Sequence, residues 1–484
     1  MKRSLPVAVV ASLVLLLVAP ALSWPAWEAP WAWPIPRHAL MNGYATFRLW
    51  LPTPAIPAWN EAWFDRHPPD ASGPLLIDEL HTSKQPWNTV LAMDAYSYAD
   101  QHGFGRAFAP VLAAGVRAQE VRLPWNPVTL GGAAAVFLNL VSGENPPITW
   151  AEANALEAFV RRGGGLVLIT EHTDCYFHGE VLAPLTGLLG LTLPPVTACD
   201  VPGHTLSPAS RAWIRVATRP HAITNDVAIL GLTTAGVIRA PSSWSTVAAT
   251  SSAGWSDTWD PWHNGASAGF TGDLAQSPDE PSEVLPVVVA GEHGAGRVVV
   301  LGDQNAWGAT LIGFEDNAQL FTNAFAWVLR RDIPVEVRGP RSVSTLVSPE
   351  RPDCAMARED GFRTLQVHME RLAQATGIPA FCTSRRAPAS RSLVLLPGPA
   401  RDDLDALFVP GRHILALLDD SPLAEQVRGH ADGGATVVRV DAGSFRNAAL
   451  GGERDDPRGT AREAAYNEVM RALDPLFEAL KEGP

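Results

Sequence analysis

Short apolar runs alternate along the chain with stretches of helical periodicity. Pro74-Leu75-Leu76-Ile77, ahead of Asp78, is the first clear run, and its lack of polar alternation suits a parallel strand buried on both faces. A helix is predicted from about Ala95 to Ala114, ending near Gly115, then strands over Val116 to Val121 and Ala133 to Leu140. Pro146 and Pro147 stop what precedes the next element. Thr149 and Glu152 then form a capping box, and Leu156, Phe159 and Val160 share one helical face. Gly163-Gly164-Gly165 ends that helix, and Leu166-Val167-Leu168-Ile169 begins a buried strand. Strand, helix and strand in this order imply a parallel sheet with right-handed crossovers.

A polar, proline-rich stretch over about 172–283 follows, with a helix expected at 180–189 and strands near 212–217, 227–237 and 245–250. Val284 to Ala290 and Arg297 to Leu301 read as a hairpin turning through Gly291 to Gly296. A last helix runs from about Asp316 to Arg330, striped by Leu320, Phe321, Ala324, Phe325 and Val328. Beyond residue 340, strands are expected near 343–347, 392–396, 413–418 and 436–440, and helices near 361–376, 401–408, 421–429 and 460–481. The fold class is therefore α/β, a flavodoxin-like parallel sheet sandwiched by helices (74–335, with an insertion over about 175–283), plus a smaller α/β domain (340–484).

Composition narrows the setting. At 484 residues, 46% of them hydrophobic and 18% charged, the chain can bury more than one core. A formal charge of −13 repels phosphate backbones and argues against nucleic acid as partner. Lys2 and Arg3 precede an apolar run from Leu5 to Leu22, with a small-x-small site at Ala21-Leu22-Ser23. Residues 1–23 thus read as a signal peptide or a membrane anchor, and either places the body outside the cytoplasm, in the periplasm or facing it. Residues 24–73 form a Trp- and Pro-rich arm. Cys175, Cys199, Cys354 and Cys382 allow three connectivities, of which Cys175–Cys199 with Cys354–Cys382 would pair within domains, and free thiols are the alternative.

Five segments in order resemble a known superfamily. They are Leu75 to His81, the Glu152 to Asp174 helix-strand unit, Pro220 to Val227, Gly294 to Asp303, and Asp316-Asn317 opening the final helix. Over about residues 75–331 the layout resembles class I glutamine amidotransferase-like domains, in particular those of bacterial envelope and gliding-type ABC accessory proteins, and more distantly the trehalose-utilisation (ThuA-like) family. Catalytic members of that superfamily carry a cysteine on a sharp turn after the strand that follows the glycine-rich helix end. Here that strand runs into Thr170-Glu171-His172, and Cys175 comes several residues late. The resemblance therefore implies a non-catalytic domain that binds a ligand or an envelope protein.

Candidate chemistry gathers where strands end. Asp78, Glu79 and His81 leave the first strand, Glu171 and His172 a middle one, and Asp303 and Asn305 a late one. Open α/β sheets bind ligands at such edges. If the edges adjoin, one pocket would hold several carboxylates and imidazoles fit for acid–base work. The alternative is that each residue caps the next turn. No cofactor is expected, except that His172, Asp174 and His178 could hold a divalent metal, with Asp200, His204 and His221 joining from the insertion. That arrangement would suit a metal-dependent hydrolase acting on an envelope carbohydrate or ester. Trp244, Trp255, Trp259 and Trp262 could instead stack on sugars, as in a carbohydrate-binding module, or simply cover the sheet edge.

Overall fold

The structure is a computed structural model in which the described residues are 62–82, 89–91, 103–143, 145–207, 210–258, 271–308, 311–333, 342–346, 380–383, 389–397 and 400–441, with single helical positions at 369, 471, 473, 476 and 480. The 1–23 segment, most of the Trp- and Pro-rich arm, Cys354, Trp259 and Trp262 lie outside them. So do most of the helices expected at 361–376 and 460–481, and the first part of the one expected at 95–114.

The large domain contains β1 (Leu75–Asp78), β2 (Ala118–Val121), β3 (Ala135–Leu138), β4 (Gly165–Ile169), β5 (Val196–Cys199), β6 (Thr205–Ser207), β7 (Ser210–Thr218), β8 (Ile229–Thr233), β9 (Ser245–Ala249), β10 (Trp255–Thr258), β11 (Pro286–His293) and β12 (Gly296–Leu301). Strands β2-β1-β3-β4-β12 lie side by side and parallel, the flavodoxin-like order, with the topological switch between β1 and β3. Every residue of β1, β3 and β4 is buried, which is why these strands read as uninterrupted apolar runs.

Alternate residues serve opposite faces. Leu75, Ile77, Phe137, Val167 and Ile169 point into one core with α1 (Gly105–Ala113), while Leu76, Val136, Leu138, Leu166 and Leu168 point into the other with α2 (Trp150–Arg161) and α3 (His178–Leu189). The last helix of the domain, α4 (Asn317–Leu329), lies beside α1: Phe108 meets Phe321 edge-on at 4.9 Å and Phe137 at 5.2 Å. Full burial of one such ring is worth ~1.5–3 kcal/mol. The capping box at Thr149 and Glu152 is present as expected.

The helix and the three strands expected in the insertion are present as His178–Leu189, Ser210–Thr218, Ile229–Thr233 and Ser245–Ala249. Strands β6, β7 and β9, with β8 paired to β7, continue the main sheet antiparallel from β11 and bring it to ten strands. The short β5, β6 and β10 carry too little periodicity to be read from sequence. The hairpin is also tighter: pairing continues through Glu292↔Arg297 and His293↔Gly296, so only Gly294 and Ala295 turn. Gly294 has φ +61°, the positive region that two-residue hairpin turns require.

The smaller domain is a five-stranded parallel sheet of β13 (Val343–Leu346), β14 (Ala380–Thr383), β15 (Ser392–Leu395), β16 (His413–Leu418) and β17 (Thr436–Asp441), ordered β14-β13-β15-β16-β17. Ser421 caps α5 (Pro422–Gly429). The helix expected at 401–408 is only a 3-10 turn, Leu404–Ala406. The two domains share backbone bonds. Gly313 to Glu315 adds to the free edge of β14, with the Cys382 amide donating to Gly313 O at 2.8 Å and the Glu315 amide to Cys382 O at 2.8 Å. A Cβ at Gly313 would sit 2.6 Å from Ala380 O, so this approach requires glycine.

The intradomain pairing Cys175–Cys199 is not formed. Neither thiol is disulfide-bonded, and both are buried on different elements, whereas Cys382 is disulfide-bonded.

Candidate functional site

Two polar clusters occupy the C-terminal rim of the parallel strands. The first lies at the topological switch. Beyond β1 the chain turns back so that the Asp78 carboxylate accepts the amides of His81 and Thr82, both at 2.9 Å. His81 Nδ1 then lies 2.7 Å from Asp78 Oδ1 and its Nε2 lies 3.1 Å from Glu152 Oε1. Glu152, at the start of α2, also accepts the Trp125 amide and closes the capping box with Thr149. All three side chains are buried. Burial alone would lower the His81 pKa, but Asp78 and then Glu152 outweigh it and raise it to about 9. Burial likewise opposes ionisation of both acids, and the imidazolium prevails and holds them below the usual carboxylate range.

Glu79 faces differently. Its Oε1 accepts the Val90 amide at 2.7 Å. The switch crevice itself is stitched shut, since Thr82 bridges to Val141, the Thr82 hydroxyl donates to Asn139 O, and the Ser142 amide donates to His81 O.

The second cluster lies at the adjacent ends of β4 and β12. Asp303 accepts the amides of Thr233 at 2.6 Å and Asn305 at 2.7 Å, capping the turn Gln304–Ala306. Asn305 reaches back to Thr233 O. Glu171 is buried nearby. Burial, and secondarily the charge of Asp303, push the Glu171 carboxyl well above its ordinary range, and burial raises Asp303 to about 7. Both carboxyls are thus harder to ionise than an ordinary surface acid.

Above it runs the segment after β8. Its Gly236 amide donates to Gly302 O at 2.7 Å and its backbone bridges Thr197. A Cβ at Gly236 would lie 2.3 Å from Glu171 O, and one at Gly302 would lie 2.3 Å from Gly236 O. Two facing glycines thus let one backbone lie directly across the strand ends. Neither was singled out in the sequence, where an isolated glycine has many uses.

The strand-to-helix turn after β4 is strained, with φ +44° at Thr173 and +57° at Asp174. No thiol sits at those two positions. Cys175 follows them and is buried. The adjacent imidazole of His178 bonds Cys175 O through Nδ1 at 2.9 Å and accepts the Glu171 amide at Nε2, 3.2 Å. Both ring nitrogens are thereby used on backbone, and burial lowers its pKa to about 4.

That occupancy removes His178 from the expected metal set. Asp174 is spent on the Gly179 amide at 2.6 Å, and His172 Nδ1 lies 2.6 Å from the Thr173 hydroxyl. Asp200 accepts bonds from Ser251, and His221 caps the turn Ala222–Thr224 and packs on Trp327. Among the described residues no three His, Cys, Asp or Glu side chains are placed to hold a metal ion. Of the tryptophans, Trp255 is buried on β10, which pairs with β5, and Trp244 packs on Gly291 of β11, an interior strand of the main sheet rather than its edge.

The sequence-derived candidates thus fall into two groups rather than one pocket. Glu171, His172, Asp303 and Asn305 gather at β4 and β12, and Asp78, Glu79 and His81 at β1, with β3 between. Glu152 was legible as a cap but not as the partner of His81, a contact 71 positions apart.

No protein-family model matches the chain, and no curated protein matches it. Among solved structures, the mmIFT52 N-terminal domain is similar with TM-score 0.38 and 14% identity, covering 54% of this chain and all of that one. The cytoplasmic protein STM1381 from Salmonella typhimurium LT2 is similar with TM-score 0.34 and 13% identity, covering 52% of this chain and 98% of that one. A β-galactosidase from Bacillus circulans sp. alkalophilus follows with TM-score 0.28 and 13% identity, covering 53% of this chain and 30% of that enzyme. At such scores these likenesses carry no argument about activity.

Proposed function

We propose that the chain is an exported envelope protein whose large α/β domain is a non-catalytic, amidotransferase-like module that binds a protein partner or ligand. One observation carries the reading: the Gly236 backbone lies against Glu171 O and closes the strand ends where chemistry in such a sheet would occur. The buried acids beneath are engaged by backbone amides. His178, the imidazole beside Cys175, has no nitrogen left to activate a thiol. Export rests on the basic-then-apolar N-terminus.

Incubation of the purified full chain with glutamine, and separately with a thiol-reactive activity probe, tests the reading. Neither turnover nor rapid labelling of Cys175 is expected. Glutaminase activity lost in Cys175→Ser would overturn it.

A further inference from the structure

Away from the strand-end rim, one buried acid of the insertion lacks a full set of partners. Asp257 lies on β10 and is 1% exposed. Its Oδ1 accepts the Leu274 amide at 3.3 Å, while its Oδ2 is buried and has no hydrogen-bond partner. Among the described residues it is the one carboxylate oxygen in that condition. A buried charged group without a partner is far costlier than a neutral one.

The backbone of 272–274 bends around this carboxylate. Gly272 comes so close that a Cβ there would stand 2.3 Å from Oδ1 and 2.4 Å from Oδ2, an approach only glycine permits. Asp273, at the centre of the bend, is exposed, and its Oδ1 accepts the Ala275 amide. Glu280 accepts the Thr258 amide at 2.9 Å and the Ser277 amide at 3.0 Å, which fixes it beside the end of β10. Burial, and then the nearby charges of Glu280 and Asp273, raise the Asp257 pKa to about 7.

The charges that act most on Asp257 are thus both negative. The stretch 271–283 contains Asp273, Asp279, Glu280 and Glu283 and no Lys, Arg or His. A cation from solution supplies what the side chains do not. The donors are carboxylate and backbone oxygens, hard ligands that suit calcium, whose roughly six to eight ligands tolerate irregular geometry. Magnesium demands a near-ideal octahedron, which a bend with one preplaced carboxylate does not provide. The three carboxylates do not already stand at ligand spacing, so the exposed Asp273 swings towards Oδ2 as the ion enters. Binding therefore tightens this stretch on β10.

We infer that Asp257 Oδ2, together with Asp273 and Glu280, binds a calcium ion that clamps residues 271–283 onto β10. Full-length protein stripped with EGTA is titrated with calcium chloride, and separately with magnesium chloride, by isothermal titration calorimetry. Terbium, a calcium surrogate excited through tryptophan, gives a second reading, because Trp255 lies two residues from Asp257 on the same face of the strand. A Glu-specific protease, cutting after Glu280 and Glu283, reports the clamp.

One calcium per chain is expected, with a dissociation constant of about 10⁻⁴–10⁻³ M, the weak end of calcium sites, and no comparable magnesium binding. Asp257→Asn keeps the side-chain shape and should abolish binding. Asp273→Asn, on an exposed residue, should weaken it at least ~10-fold by removing one ligand charge, and Asp279→Asn should leave it intact. Calcium should slow cleavage after Glu280 and Glu283 in the wild type but not in Asp257→Asn. If Asp257→Asn fails to fold, Asp273→Asn decides alone. Absence of calcium heat and of sensitised terbium emission, in protein with a native circular-dichroism spectrum, overturns the inference. Binding of unchanged strength in both variants overturns it as well, since the ion would then lie elsewhere.

Discussion

His81 Nε2 lies 3.1 Å from Oε1 of Glu152, a residue that simultaneously caps the helix in which it sits. The pair joins the end of β1 to the start of α2 and is buried throughout. Removing Glu152 leaves His81 paired with Asp78 alone, and takes the acceptor from His81 Nε2 and from the Trp125 amide, at ~1–3 kcal/mol for each buried donor left unsatisfied. Glu152→Ala should therefore lower the denaturation midpoint far more than Thr149→Ala, which removes only a cap worth ~1 kcal/mol. Urea unfolding of both variants checks the ranking, and equal losses would contradict it.

The same imidazole makes stability depend on pH. Its pKa is raised from 6.5 to about 9, so its contribution is complete below pH 6.5 and disappears as pH rises to about 9. Asp78 and Glu152 are shifted down, so their contribution disappears at the acid end, as pH falls through their lowered values. Unfolding free energy should decline between pH 6.5 and 9, and in His81→Gln that portion of the slope should be missing.

Glu171 and Asp303 act in the opposite sense to ordinary surface acids. Asp303 is raised from 3.8 to about 7 and Glu171 is raised as well, so the folded state binds more protons than the unfolded one across that interval. Their contribution is complete below the unfolded values and shrinks as pH rises through the folded ones. Asp303→Asn removes the titrating group and should flatten the stability profile between about pH 4 and 7. An unchanged profile would mean that Asp303 takes up no proton on folding over that interval.

The backbone crossing at Gly236 leaves no room for a methyl group. Gly236→Ala places a Cβ 2.3 Å from Glu171 O, a backbone atom that cannot rotate aside. A loss of ~1–3 kcal/mol is expected, as for overpacked cores. Faster amide exchange at the Gly236 N–H, which bonds Gly302 O, should accompany it.

Arg215 and Glu315 form a buried ion pair beside the joint between the domains. Arg215→Met should destabilise by ~3–5 kcal/mol, whereas Arg215→Met with Glu315→Leu should recover most of that loss. Limited proteolysis between the domains should rise in the single variant and fall back in the double one.

What the sequence alone determined is local. Apolar runs at Leu75 to Ile77 and Leu166 to Ile169, the Thr149–Glu152 box and the Phe321–Phe325 stripe each follow from periodicity and capping chemistry, which act over a few residues. Together they defined an α/β fold of two units with its acids and imidazoles at strand ends. Tertiary structure decided what those groups do. Whether Asp78 and His81 serve chemistry or brace a helix depended on Glu152, brought 71 positions along the chain by the β1–β3 crossover. Whether the rim by Glu171 stayed open depended on Gly236, placed there by an insertion that extends the sheet. Side-chain identity fixes which bonds a residue can make, but only packing fixes which partners arrive and how much water is left between them.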